Sequence, residues 1–174
     1  MAAGLLGKSL ITGPLRSLWW VAGALIAWSA VMVVAERVAT QERGERDIRL
    51  RDALVIGVLQ CVALVPGVSR SGATISAGLF LGLDRVTATR MSFFLSIPAL
   101  VGAGIYELPH ALSGGVGWLP TLVATLISFV VAYASIAWLL RFVAGHSIAV
   151  FVWYRLALGA VLLVLLGTGT ISAT

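Results

Sequence analysis

The nine residues Pro66-Gly67-Val68-Ser69-Arg70-Ser71-Gly72-Ala73-Thr74 sit between two apolar runs, Leu54–Val65 and Gly72–Leu83. As helix, each run reaches about 18 Å at about 1.5 Å per residue, against a hydrocarbon core about 30 Å thick. Two half-length helices around a Pro-Gly break predict a re-entrant helical hairpin over residues 53–83, dipping to mid-membrane and returning. Irregular backbone at that depth is tolerated only where it is buried in protein or lines a cavity. The alternative, one kinked helix from Leu54 to Leu83, is too long for a single span. Arg70 is thereby placed where water is scarce, and an ionisable residue in such a place marks a functional site by default.

The surroundings are those of a membrane protein. Of 174 residues, 60% are apolar and 11% charged, and the mean hydropathy is +1.04; soluble domains carry about 25% charged residues. The net charge of +5 does not point to nucleic acid, because the basic residues collect in short loops between apolar spans, where they set membrane orientation. Cys61 is the one cysteine, so there is neither an intrachain disulfide nor a Cys/His zinc cluster. His110 and His146 read as exposed loop histidines. The first ten residues lack a basic region leading into an apolar core, so insertion is expected to rely on the spans themselves.

The expected fold is all-α and polytopic, one membrane domain over residues 1–174 with about four transmembrane helices besides the hairpin. The first span runs from Leu15 to Ala35, with Trp19 and Trp20 as interfacial aromatics and Glu36 and Arg37 ending it. Glu36–Asp52 reads as a solvated loop with compensating charges. Val86–Leu108 follows, with Arg90 in its first turn and Pro98 inside; Ser92 and Ser96 share one helix face and either face the central loop or pack helices. A glycine-rich turn, Ser113–Gly117, leads to Val116–Leu140, ended by Arg141. After a turn at Ala144–Ser147 comes Ser147–Thr168, interrupted by Trp153-Tyr154-Arg155. With the hairpin entering and leaving on one side, Arg37, Arg43, Arg46, Arg49, Arg51, Arg85, Arg90 and Arg141 lie together, opposite Lys8 and Arg16. The first set is expected in the cytoplasm.

The central loop has the chemistry of an anion site. A helix starting near Gly72 offers unpaired amides and a partial positive charge, to which Arg70, Ser69, Ser71 and Thr74 add a guanidinium and hydroxyls. Phosphate suits that set. Gly67 and Gly72 would let backbone approach the ligand. Alternatively, Arg70 ties down carbonyls of neighbouring helices. Hydrolysis needs more: phosphoryl transfer calls for an oriented nucleophile and usually a base or metal. No carboxylate lies within a span; Glu36, Asp84 and Glu107 sit at predicted membrane edges. The loop reads as half of a site, its serines as hydrogen-bond donors rather than nucleophiles.

The stretch Leu59-Gln60-Cys61-Val62-Ala63-Leu64-Val65 running into Pro66–Thr74, then Gly82-Leu83-Asp84-Arg85 and Arg90-Met91-Ser92-Phe93-Phe94-Leu95-Ser96-Ile97-Pro98, resembles the bacterial undecaprenyl-diphosphate phosphatase family, also known for bacitracin resistance. The resemblance covers essentially the whole chain and includes the Tyr154-Arg155 pair. It implies two inverted repeats, each with a re-entrant hairpin, in the bacterial inner membrane, and hydrolysis of a polyprenyl diphosphate carrier to its monophosphate for cell-wall synthesis. It implies Arg70 as diphosphate ligand, with Ser69, Ser71, Gly72 and Thr74 around it, Gln60 and Arg155 in support, and a site opening outwards. The family's acidic motif, which supplies the catalytic carboxylate and a divalent cation site (Mg or Ca), belongs to the first repeat. Here Gln60 and Ser69–Gly72 echo it, but Leu64 and Ala73 replace its second acid and its histidine. The chain is therefore expected to be a C-terminal portion, from a truncation, a split gene or a misplaced start. It holds no metal site of its own, is inactive alone, and is completed by the missing repeat or a second copy. The phosphatidate phosphatase type is disfavoured, since its histidine six residues after the arginine is Ser76 here. Two other readings remain: a transporter or flippase of a lipid carrier, whose architecture also uses broken helices, and a non-catalytic scaffold. Arg155 either meets a carboxylate or a lipid phosphate, or pins backbone.

Overall fold

The computed structural model describes residues 17–113 and 117–173. Among them the regular structure is helical: α1 (Leu18–Val38), α2 (Leu50–Leu59), α3 (Arg70–Phe80), α4 (Arg85–Ser113), α5 (Trp118–Gly145) and α6 (Val150–Gly167), with short 3-10 segments at Glu45–Asp47 and Gln60–Leu64. α1, α5, α6 and the Arg85–Pro109 part of α4 are long and apolar enough to cross a membrane. α2 and α3, with 10 and 11 residues, reach only about 15 Å each. The protein is an all-α, multi-pass membrane protein with a pair of half-length helices between its spans.

α3 is enclosed on all sides: every residue from Gly72 to Leu79 is buried, against α1, α2 and α4. α1 supplies one stripe, with Ala22, Leu25, Ser29, Met32 and Ala35 buried at the three- and four-residue steps of a helix face. On the other side α4 comes so close that a Cβ on Gly78 would stand 2.8 Å from the Cβ of Ala88. α6 packs along α1.

Arg43 closes the two short helices into a hairpin. Its guanidinium donates to the Asp52 carboxylate in the first turn of α2 (2.5 Å), to the carbonyl of Leu81 just after α3 (2.7 Å) and to the carbonyl of Asp47 (2.7 Å). Its backbone accepts from the Asp84 amide and donates to Gly82 O. The start of α2 and the end of α3 therefore meet at one base, and Pro66–Ser69 forms the opposite apex. The polar loop is thus more than a solvated connection. Asp52 is 3% exposed, Glu36 pairs with Arg85, and Glu45 pairs with Arg90.

Boundaries shift where charges are satisfied. α1 continues through Glu36 and Arg37 to Val38, because Glu36 has its partner on α4. α5 passes Arg141 and ends at Gly145, a cation being favourable in the C-terminal part of a helix. α4 extends beyond Leu108 and takes the backbone of His110 into a helix rather than a loop. Trp153-Tyr154-Arg155 does not interrupt α6. Lys8, Arg16 and residues 114–116 of the glycine-rich turn lie outside the described residues.

Candidate anion-binding site at the hairpin apex

Ser69 starts α3. Its Oγ accepts from the Gly72 amide at 3.1 Å, the N-cap geometry that satisfies one of the orphan donors of a helix start. The helix begins at Arg70, two residues before the expected Gly72. The amides of Arg70 and Ser71 find no backbone acceptor among the described residues.

The apex rests on α1. Gly67 has φ +94°, and a Cβ there would fall 2.5 Å from Val21 O. Its lack of a side chain serves the turn and this backbone contact, not the approach of a ligand. Gly72 is also committed to packing: a Cβ would stand 3.2 Å from Met32 Sδ and from Ser69 Cβ.

Arg155 fastens the apex to the last span. It is 7% exposed. Its Nη2 donates to Gly67 O (2.9 Å) and reaches Leu25 O at 3.5 Å, while Nε donates to Ser29 Oγ (3.3 Å). Of the roles open to this residue, pinning backbone is the one its bonds display. Its Nη1 takes no hydrogen bond among the described residues, and the side chain lines a cavity of about 230 Å³. Ser69, Ser71, Gly72 and Tyr154 line it with Arg155; Met32, Ile75, Leu139, Val143, Ile148 and Phe151 supply apolar walls. The Ser71 hydroxyl has no partner among the described residues.

The constellation expected from the sequence is therefore divided. Ser69, Ser71 and Gly72 share the cavity with Arg155. Arg70 is exposed, makes no ion pair or side-chain hydrogen bond among the described residues, and is not among the cavity-lining residues. It starts on another side of the helix, yet in the first turn, where Cα–Cβ bonds tilt toward the N-terminus. Thr74 lies one turn in and is fully buried. Its Oγ1 is 2.6 Å from Ser92 Oγ on α4 and 2.9 Å from Arg70 O, so it couples helices and offers nothing to a ligand. Ser92 thus packs against α3, and Ser96 donates to Phe93 O. Gln60 is not part of the cavity lining; its Oε1 is buried without a partner among the described residues.

A Mg or Ca ion asks for several oxygen ligands, carboxylates among them, and the cavity lining contains no carboxylate. Among the described residues no group of three or more His, Cys, Asp or Glu could hold a metal. These residues do not fit the divalent cation that the resemblance implies. Asp84 caps α4 through Thr87, Glu36 is held by Arg85, and Glu107 is exposed on α4; none lines the cavity. The apolar walls from α1, α5 and α6 escaped sequence reasoning, because no local pattern announces which span turns toward the apex.

The family model described as "Bacitracin resistance protein BacA" matches residues 1–161. The chain is 57% identical over 177 residues to Undecaprenyl-diphosphatase 3 of Frankia casuarinae, covering 98% of this chain and 64% of that one. It is 59% identical over 169 residues to Undecaprenyl-diphosphatase 1 of Streptomyces coelicolor, covering 97% and 61%. It is 56% identical over 172 residues to the Undecaprenyl-diphosphatase of Acidothermus cellulolyticus, covering 98% and 62%. The chain spans about three fifths of the length of these curated relatives.

Proposed function

The chain belongs to the bacitracin resistance protein BacA family, and from that premise we propose that it forms the diphosphate-holding part of an undecaprenyl-diphosphate phosphatase of the bacterial inner membrane. The observation that carries this is the start of α3: two free amides, the Ser69 and Ser71 hydroxyls and an unpaired Arg70, beside a cavity with polar residues at its apex end.

In the reaction, water oxygen bonds to the terminal phosphorus and the bond from that phosphorus to the bridging oxygen breaks, releasing inorganic phosphate and leaving the prenyl monophosphate. Charge develops on the phosphoryl oxygens and on the bridging oxygen, where fixed donors are most effective. The α3 amides and Arg70 take that charge; Ser69 and Ser71 orient the oxygens; Arg155 holds the turn. Neither serine has a base beside it, so both bind rather than attack. The acid–base partner, with any divalent ion, comes from outside the described residues, in cis or from a second polypeptide. The α2–α3 hairpin is re-entrant in this reading, supported by the Arg43 clasp that brings both its ends to one base.

Phosphate release from undecaprenyl diphosphate in detergent tests this, with the chain alone and mixed with the remaining segment of a relative. Activity in the mixture only is expected; activity of the chain alone would move the base to a residue of this chain or of a second copy. The closed pair of half-length helices also favours a carrier flippase; movement of the lipid across a liposome bilayer without phosphate release would select that reading.

A further inference from the structure

The cavity at the apex has a direction. Arg155 at one end donates to Gly67 O, and Ser69 and Ser71 stand beside it. About two helical turns away along the same span, roughly 10 Å, Ile148 is 2% exposed and Val143 of α5 is 1% exposed. Ile75 and Met32 fill the side between, one turn below Ser71 and beside Gly72. The cavity is thus polar where α3 begins and apolar where it runs back toward the hairpin base. An inorganic anion would use only the first part. A phosphate ester with a hydrocarbon next to its head would use both, because burying apolar surface contributes about 25 cal/mol per Å².

We infer that this cavity is the subsite for the head-proximal isoprenoid units of a prenyl diphosphate, with the head at Ser69–Ser71 and the chain running along α3 toward Val143 and Ile148. The inference rests on the diphosphate reading and adds to it which part of the lipid the protein grips and in which direction. A cavity of about 230 Å³ holds a few isoprenoid carbons, not a long chain, so recognition stops after the first units and the remainder lies in lipid. Short and long prenyl diphosphates are then bound with similar affinity.

The test is photolabelling of the wild-type chain in detergent with a farnesyl diphosphate that carries a diazirine on its terminal isoprene unit. Cross-links at Val143, Ile148 or Phe151, competed by unlabelled farnesyl diphosphate, are expected. Labelling confined to exposed α5 positions such as Phe129 and Tyr133, without competition, would overturn the inference. A filling substitution, Val143→Phe, is expected to weaken farnesyl diphosphate binding about tenfold with inorganic pyrophosphate binding unchanged; equal loss of both would also overturn it. A farnesol probe that labels the cavity as well as the diphosphate does would keep the chain subsite and remove the diphosphate reading.

Discussion

Arg155 Nη2 donates to the carbonyl of Gly67 across 2.9 Å, so the last span grips the turn between the two half-length helices. Gly67 O has no other partner from a side chain, and Ser29 Oγ and Leu25 O complete the grip. Replacing Arg155 by Ala removes charge-assisted bonds, worth about 1.5–3 kcal/mol each in general, but also relieves the burial of a cation. We expect a net loss of about 2 kcal/mol, read as a lower thermal midpoint in detergent and faster proteolysis near residues 65–69. An unchanged midpoint would mean that the pin contributes nothing to the fold.

Arg70 is the opposite case. It is exposed and without a partner among the described residues, so Arg70→Ala should change stability by no more than about 0.5 kcal/mol. Farnesyl diphosphate binding should fall at least tenfold, the cost of about one charge-assisted contact. Wild-type affinity in the folded variant would remove Arg70 from the site and leave Arg155 as its cation.

The hairpin was legible because its signals are local. Two runs too short to span, the Pro66-Gly67 break and a serine before Arg70 each have one physical meaning. The long spans were legible from apolar length alone. The partition between Arg70 and Arg155 was not, since it depends on which side of α3 the last span covers. Thr74 was assigned to the ligand for the same reason: its spacing from Arg70 was visible, but Ser92 on the facing helix was not tied to it. The Arg43 clasp was hidden in a loop whose charges cancel by composition, because its acceptor at Leu81 lies 38 residues away.

That clasp gives a pH dependence. The hydrogen bond from Arg43, helped by the Arg49 amide, holds the Asp52 carboxyl below its ordinary value near 3.8, against the opposing effect of burial. A depressed carboxylate contributes stability that is fully present above the unfolded value and is lost as pH falls through the folded one. The thermal midpoint should therefore drop more steeply for wild type than for Asp52→Asn once pH goes below about 4. Parallel curves for the two proteins would sink the assignment.

Thr74 and Ser92 provide a coupled pair. Their hydroxyl oxygens are 2.6 Å apart in a fully buried contact between α3 and α4. Thr74→Val leaves Ser92 Oγ without that partner, and an unsatisfied buried polar group costs about 1–3 kcal/mol. Ser92→Ala imposes a smaller loss, because Thr74 Oγ1 still reaches Arg70 O. The double variant should be more stable than the sum of the two single losses predicts, with a coupling of about 1 kcal/mol in a double-mutant cycle. Diphosphate binding should be unaffected by Thr74→Val. Additive losses would mean that the two hydroxyls are satisfied independently, and a loss of binding without a loss of stability would return Thr74 to the ligand site.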